Sequence, residues 1–146
     1  MYPSPEVTEL VSEHFIPVRI HIKEQPTMWK RFGVRWTPTV LILDPEGREV
    51  HRIEGYLPTD NFLAQLELGL GFVYVAEKKW QEAANEFAQV VRDHPDTDAA
   101  PEAMYWEGVS KYSGSHDASA LAALTKQFAT RYSDTSWAKR ASIWKK

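Results

Sequence analysis

The chain has 146 residues, 43% of them hydrophobic and 12% aromatic, with six tryptophans, enough for one medium domain or two small ones sharing an interface. Charged residues make up 25% and the net charge is only −3, so no global field recruits nucleic acid or an acidic membrane. There is no cysteine, which excludes disulfides, zinc–thiolate sites and thiol catalysis by this chain.

Pro5 opens a helix that Ser4 is placed to cap, with Val7, Leu10, Val11 and His14/Phe15 on one face. Val18 to Lys23 alternates strictly, apolar residues against Arg19, His21 and Lys23, and predicts a strand with one wet face. Pro26 restarts a helix with a Met28, Trp29 and Phe32 stripe, and Gly33 is expected just past its end. The apolar run Val40-Leu41-Ile42-Leu43 predicts a covered strand. Asp44-Pro45-Glu46-Gly47 is a turn leading into a second strand, residues 48–53, so the two are expected to form a hairpin ended by Gly55.

From Pro58 onward the pattern is helical and comes in pairs. Helices are expected over 59–76 and 80–93, then 98–112 and 117–131 joined by Ser113-Gly114-Ser115, and finally 135–144. His94-Pro95-Asp96-Thr97 recurs as Tyr132-Ser133-Asp134-Thr135, 38 residues on; Tyr74 and Tyr112 share that offset, and Gly71 and Gly108 nearly do. A period in this range built of helix pairs signals a stacked helical repeat. Lys139, Arg140, Lys145 and Lys146, interleaved with Trp137 and Trp144, are the one basic cluster and suit the solvated face of a capping helix.

The stretch Phe32-Gly33-Val34-Arg35-Trp36-Thr37-Pro38-Thr39-Val40-Leu41, with the element order over residues 4–70, resembles the thioredoxin-like family. That resemblance implies a cis proline at Pro38. Leu70, Gly71, Tyr74, Ala83, Phe87 and Pro95 resemble one tetratricopeptide unit; Gly108 and Tyr112 belong to a degenerate second unit with Ser133 in place of the closing proline. The looser stretch from Asp96 to Tyr105 is similar to repeats of bacterial envelope proteins.

The expected architecture is therefore α/β followed by all-α: an incomplete thioredoxin-like sheet with flanking helices, fused to tetratricopeptide-like helix pairs. Residues 1–70 form the first part and 59–146 the second, with helix 59–76 shared and Leu66, Leu70 and Val73 in the common core. The resemblance also implies a strand and a Cys-x-x-Cys helix start before Pro5, and the sequence contains neither. That strand would lie between 18–23 and 40–43. Three resolutions stay open: direct pairing of the two strands, pairing with a second copy to give a homodimer through the incomplete sheet, or a longer protein of which this is the back part.

Trp36, Thr37 and Pro38 are the candidate peptide-binding residues, because the loop before such a proline exposes backbone for strand addition. Alternatively, Pro38 only shapes the strand entry and Trp36 packs beneath the first helix. No catalytic residue, metal ligand set or cofactor is expected: the five histidines lie in separate elements, and no phosphate loop or dinucleotide fingerprint occurs. The expected partner is a protein or peptide, with no nucleic acid and no membrane span. Without a secretory signal pattern the default location is cytoplasmic. The second functional reading is the C-terminal part of a disulfide oxidoreductase whose cysteines lie upstream.

Overall fold

The computed structural model describes residues 4–145, so Lys146 of the basic cluster lies outside it. Within these residues the elements are α1 (Pro5–His14), α2 (Pro26–Arg31), β1 (Thr39–Leu43), β2 (Glu49–Glu54), α3 (Thr59–Ala76), α4 (Trp80–Asp93), α5 (Ala99–Ser115), α6 (Ser119–Thr130) and α7 (Ser136–Ala141). A 3-10 turn, Ser142–Trp144, follows α7. No helix among the described residues is long and apolar enough to cross a membrane.

Local chemistry fixes the first half. Ser4 accepts a hydrogen bond from the Val7 amide at the start of α1, and Pro5 occupies the first turn, where its missing N–H costs nothing. Gly33 follows α2 with φ +59°, a left-handed position that favours glycine. β1 and β2 pair antiparallel, Val40 opposite Ile53 and Ile42 opposite His51, with a bulge between Ile42 and Leu43. Their turn is built on Asp44, whose carboxylate accepts from the Glu46 and Arg48 amides while Gly47 N–H returns to the Asp44 carbonyl at 2.9 Å.

The predicted strand at 18–23 does not form, which corrects both its assignment and its direct pairing with 40–43. The described sheet has two strands only. Residues 16–20 are without regular structure and make no backbone hydrogen bond, and the chain then turns, Glu24 and Gln25 amides both donating to the His21 carbonyl. Alternation alone confers no stability on a strand; without a neighbour to complete a ladder, water satisfies its backbone.

α3 joins the two halves. Its apolar residues run around the whole helix, as expected of a helix buried on more than one side. Phe62 and Leu66 pack with Val7, Ile42 and Ile53, while Ala64 and Leu68 pack with Ala83, Phe87, Val90 and Ala103. Gly69 lets α3 lie directly on the hairpin, since a Cβ there would stand 2.1 Å from Ile42 Cδ1 and 3.3 Å from His51. Leu66→Ala removes a side chain that is 3% exposed and is expected to cost roughly 2–5 kcal/mol. Chemical denaturation followed separately in the hairpin and in the helices checks this, and a shift confined to the hairpin would contradict the joint role of α3.

The helices after α3 stack successively: α3 on α4, α4 on α5, α5 on α6, and α7 against both α5 and α6. One small-to-large contact repeats. A Cβ on Gly71 would stand 2.4 Å from the Phe87 ring, and one on Gly108 would stand 2.7 Å from Leu124. Both glycines therefore permit close approach of the following helix. The two chain breaks repeat as well: Thr97 Oγ1 donates to the His94 carbonyl at 2.8 Å, and Thr135 Oγ1 to the Tyr132 carbonyl at 2.7 Å. Tyr132 then donates its hydroxyl to the Pro95 carbonyl at 2.6 Å, tying one break to the other.

The expected turn at Ser113-Gly114-Ser115 is also corrected. α5 continues through Ser115, and His116 takes the left-handed capping position at φ 57°. Gly114 is inside the helix because it faces Trp80, whose Cβ would stand 3.0 Å from a Cβ at that position. The basic end of the chain also folds inward through its aromatics: Arg140 lies 4.1 Å from the Trp137 ring centroid, and Trp144 stacks on Tyr105.

Candidate docking surface

The loop from Gly33 to Pro38 is held at both ends. Arg52 on β2 donates to the Phe32 and Gly33 carbonyls at the end of α2 and pairs with Glu49 at 2.6 Å. At the other end the Gly55 amide donates to the Pro38 carbonyl at 2.8 Å, and Thr39 Oγ1 donates to the Trp36 carbonyl at 2.6 Å. The Thr37–Pro38 peptide is cis. Between these anchors Trp36, Thr37 and Pro38 are exposed, and Trp36 is 66% exposed, so it does not pack beneath α1.

The outer side of β1 continues this surface. Gly55 N–H to Pro38 O and the register Val40–Ile53 and Ile42–His51 place the backbone groups of Pro38, Val40 and Ile42 toward β2. By the antiparallel alternation, the N–H and C=O of Thr39, Leu41 and Leu43 then point to the opposite edge, where the described residues supply no further strand. No side chain from Thr39 to Leu43 is charged, so this edge lacks the lysines, prolines and inward charges that usually discourage strand addition.

The helical residues singled out by the repeat are mostly buried. Leu70, Gly71, Ala83, Phe87 and Gly108 are interior, Tyr74 is half-buried against the helical core, and the Pro95 carbonyl receives Tyr132. Tyr112 is 37% exposed and lies beside the His116 ring. In the glycine register, 37 residues long, Lys111 rather than Tyr112 occupies the position equivalent to Tyr74. His21 sits in the turn after residue 20, and His51 bonds Gln65 of α3 at 2.7 Å. Burial pulls the His51 imidazole below its ordinary range, against the opposing effect of Gln65.

A polar cluster that the sequence reading missed links α3 to the end of α4. His94 Nδ1 meets Asp60 Oδ1 at 2.5 Å, and its Nε2 lies 3.4 Å from Glu67 Oε2, which makes no hydrogen bond. Burial pushes the Glu67 carboxyl up, and the facing His94 pulls it back. On α4 burial pushes Glu86 up to about 7, with the charge of Glu67 adding to the rise. Asp60, Glu67 and His94 come from two elements 27 residues or more apart, so no local motif announced them. No group of three His, Cys, Asp or Glu suited to a metal ion occurs among the described residues.

Glu86 gives a pH prediction with a defined sign. Its folded value exceeds the ordinary 4.5, so the native state holds the proton more tightly than the unfolded chain does. Its contribution to stability therefore falls as pH rises from about 4.5 to about 7 and stays low above that. Glu86→Gln is expected to raise the melting temperature at pH 8 relative to the parent, with the gain vanishing by pH 4.5. An equal gain at both pH values would refute the assignment.

Residues 2–70 match the family model for a thioredoxin-like domain. Among curated proteins and among solved structures there is no match.

Proposed function

We propose that this chain is a non-catalytic protein-binding unit, a thioredoxin-like part without redox chemistry carried on tetratricopeptide-like helix pairs. The observation that carries the proposal is the uncharged outer edge of β1, with Thr39, Leu41 and Leu43 presenting backbone donors and acceptors next to exposed Trp36. Such an edge takes an extended peptide by main-chain hydrogen bonding, and a flat indole beside it adds apolar contact. No thiol is available for exchange. In this reading residues 1–70 bind, residues 59–146 form the helical scaffold, and α3 belongs to both. The recurring Gly71–Phe87 and Gly108–Leu124 contacts and the matched Thr97 and Thr135 bonds support the repeat reading of the scaffold.

Panning a displayed library of extended peptides on the purified chain tests the site. Selected peptides should lose affinity at least about tenfold with Trp36→Ala, worth about 1.4 kcal/mol, and with Leu41→Pro, which removes an outward N–H. Peptides that bind both variants as well as the parent would overturn the site. The second reading, the back part of a thioredoxin-family oxidoreductase, draws on the match of residues 2–70 to the thioredoxin-like family model. An in-frame Cys-x-x-Cys codon run upstream of Met1 would favour it over the non-catalytic reading.

A further inference from the structure

We infer that the strand received by β1 is residues 16–20 of a second copy of this chain, exchanged reciprocally in a two-fold dimer. This rests on the β1 edge being the docking surface proposed above, and it names the occupant. Each copy carries both halves of the contact. The acceptor is the five-residue strand Thr39–Leu43 with its outward backbone groups. The donor is Ile16-Pro17-Val18-Arg19-Ile20, also five residues, which makes no backbone hydrogen bond and leaves Ile16 92% and Val18 77% exposed. Within one copy the two are not hydrogen-bonded. Large apolar side chains held in water on an unpaired segment, together with an apolar strand edge that the described residues leave unpaired, are satisfied together when two copies exchange them.

The parity of the donor fits. Pro17 has no N–H, so the segment can offer a ladder edge only through the N–H and C=O groups of Ile16, Val18 and Ile20, leaving Pro17 and Arg19 to the outer side. In an antiparallel ladder Ile16, Val18 and Ile20 then stand opposite Leu43, Leu41 and Thr39, and Arg19 stands opposite Val40, so apolar side chains pair across the edge and Arg19 meets no like charge. A two-fold arrangement forms the pairing twice, since each copy donates and accepts.

Sedimentation velocity on the full chain between about 1 and 300 μM tests the exchange. The parent should shift from monomer to dimer over this range. Val18→Pro removes an N–H needed in the ladder and should raise the dimer dissociation constant at least about 30-fold with an unchanged monomer melting temperature. Arg19→Pro, one residue on and facing outward, should dimerise within about threefold of the parent. A monomer at every concentration would overturn the exchange, as would a dimer that Val18→Pro leaves intact, which would pair β1 with β1 or use the helical face. A monomer that still loses selected peptides on Leu41→Pro would sink the exchange alone and leave the docking surface standing.

Discussion

Phe87→Ala is expected to lower the unfolding free energy by roughly 3–5 kcal/mol in urea denaturation. The side chain is fully buried, it fills the space left by the missing Cβ of Gly71, and its ring meets that of Phe72 edge-on with centroids 5.5 Å apart. Removing it leaves a void between α3 and α4 that the backbone closes only in part. The partner substitution tests the same contact from the other side. Gly71→Leu gains helix propensity of up to about 1 kcal/mol, but it drives a side chain into the ring, and overpacking of this kind costs about 1–3 kcal/mol. The double variant Gly71→Leu/Phe87→Ala should be less destabilised than the sum of the two, because the leucine occupies the void. Strict additivity, or a cost below about 1 kcal/mol for Phe87→Ala, would remove this contact as the basis of the α3–α4 pairing.

His94→Leu is the second large effect, expected at roughly 3–5 kcal/mol, because it takes the partner away from a carboxyl that is itself buried. Glu67 then has no facing imidazole to oppose its burial, so its carboxyl is driven further up. A carboxyl raised in the folded state contributes a deficit that grows as pH rises through its window. The variant should accordingly lose more stability at pH 8 than at pH 5. Replacing both residues, His94→Leu with Glu67→Leu, should recover much of the loss, since an apolar pair leaves no buried charge. A deficit that is the same at both pH values, with no recovery in the double variant, would assign His94 a role in the chain break alone.

Much of this fold is legible along the chain because its signals are local. Ser4-Pro5, Gly33, the Asp44–Gly47 turn and the apolar face of α4 each act within a turn or two, and the hairpin and the helices follow them. The candidate strand at 18–23 illustrates the limit. Its alternation specifies which faces would be wet and dry, but a strand exists only when a second strand supplies its hydrogen bonds, and the described residues supply none. Gly114 shows a related limit: a glycine between two serines signals a turn, yet the same residue serves an uninterrupted helix when a bulky ring such as Trp80 must pass it. The Asp60–Glu67–His94 cluster was invisible for a different reason, since its members are brought together by the packing of α3 on the end of α4. Trp36, Thr37 and Pro38 could be singled out by order and motif, while the exposure of Trp36 and the outward parity of Thr39, Leu41 and Leu43 required the hairpin register.

The most direct measurement of the open edge is residue-resolved amide hydrogen exchange on β1, in dilute protein and again with an edge-binding peptide added. The inward amides of Val40 and Ile42 should be protected in both conditions by their bonds to β2. The amides of Thr39, Leu41 and Leu43 should exchange quickly in dilute protein and slow at least about tenfold when the edge is occupied. Outward amides already as protected as the inward ones in the dilute monomer, or unchanged when peptide is bound, would contradict β1 as the working surface of this protein.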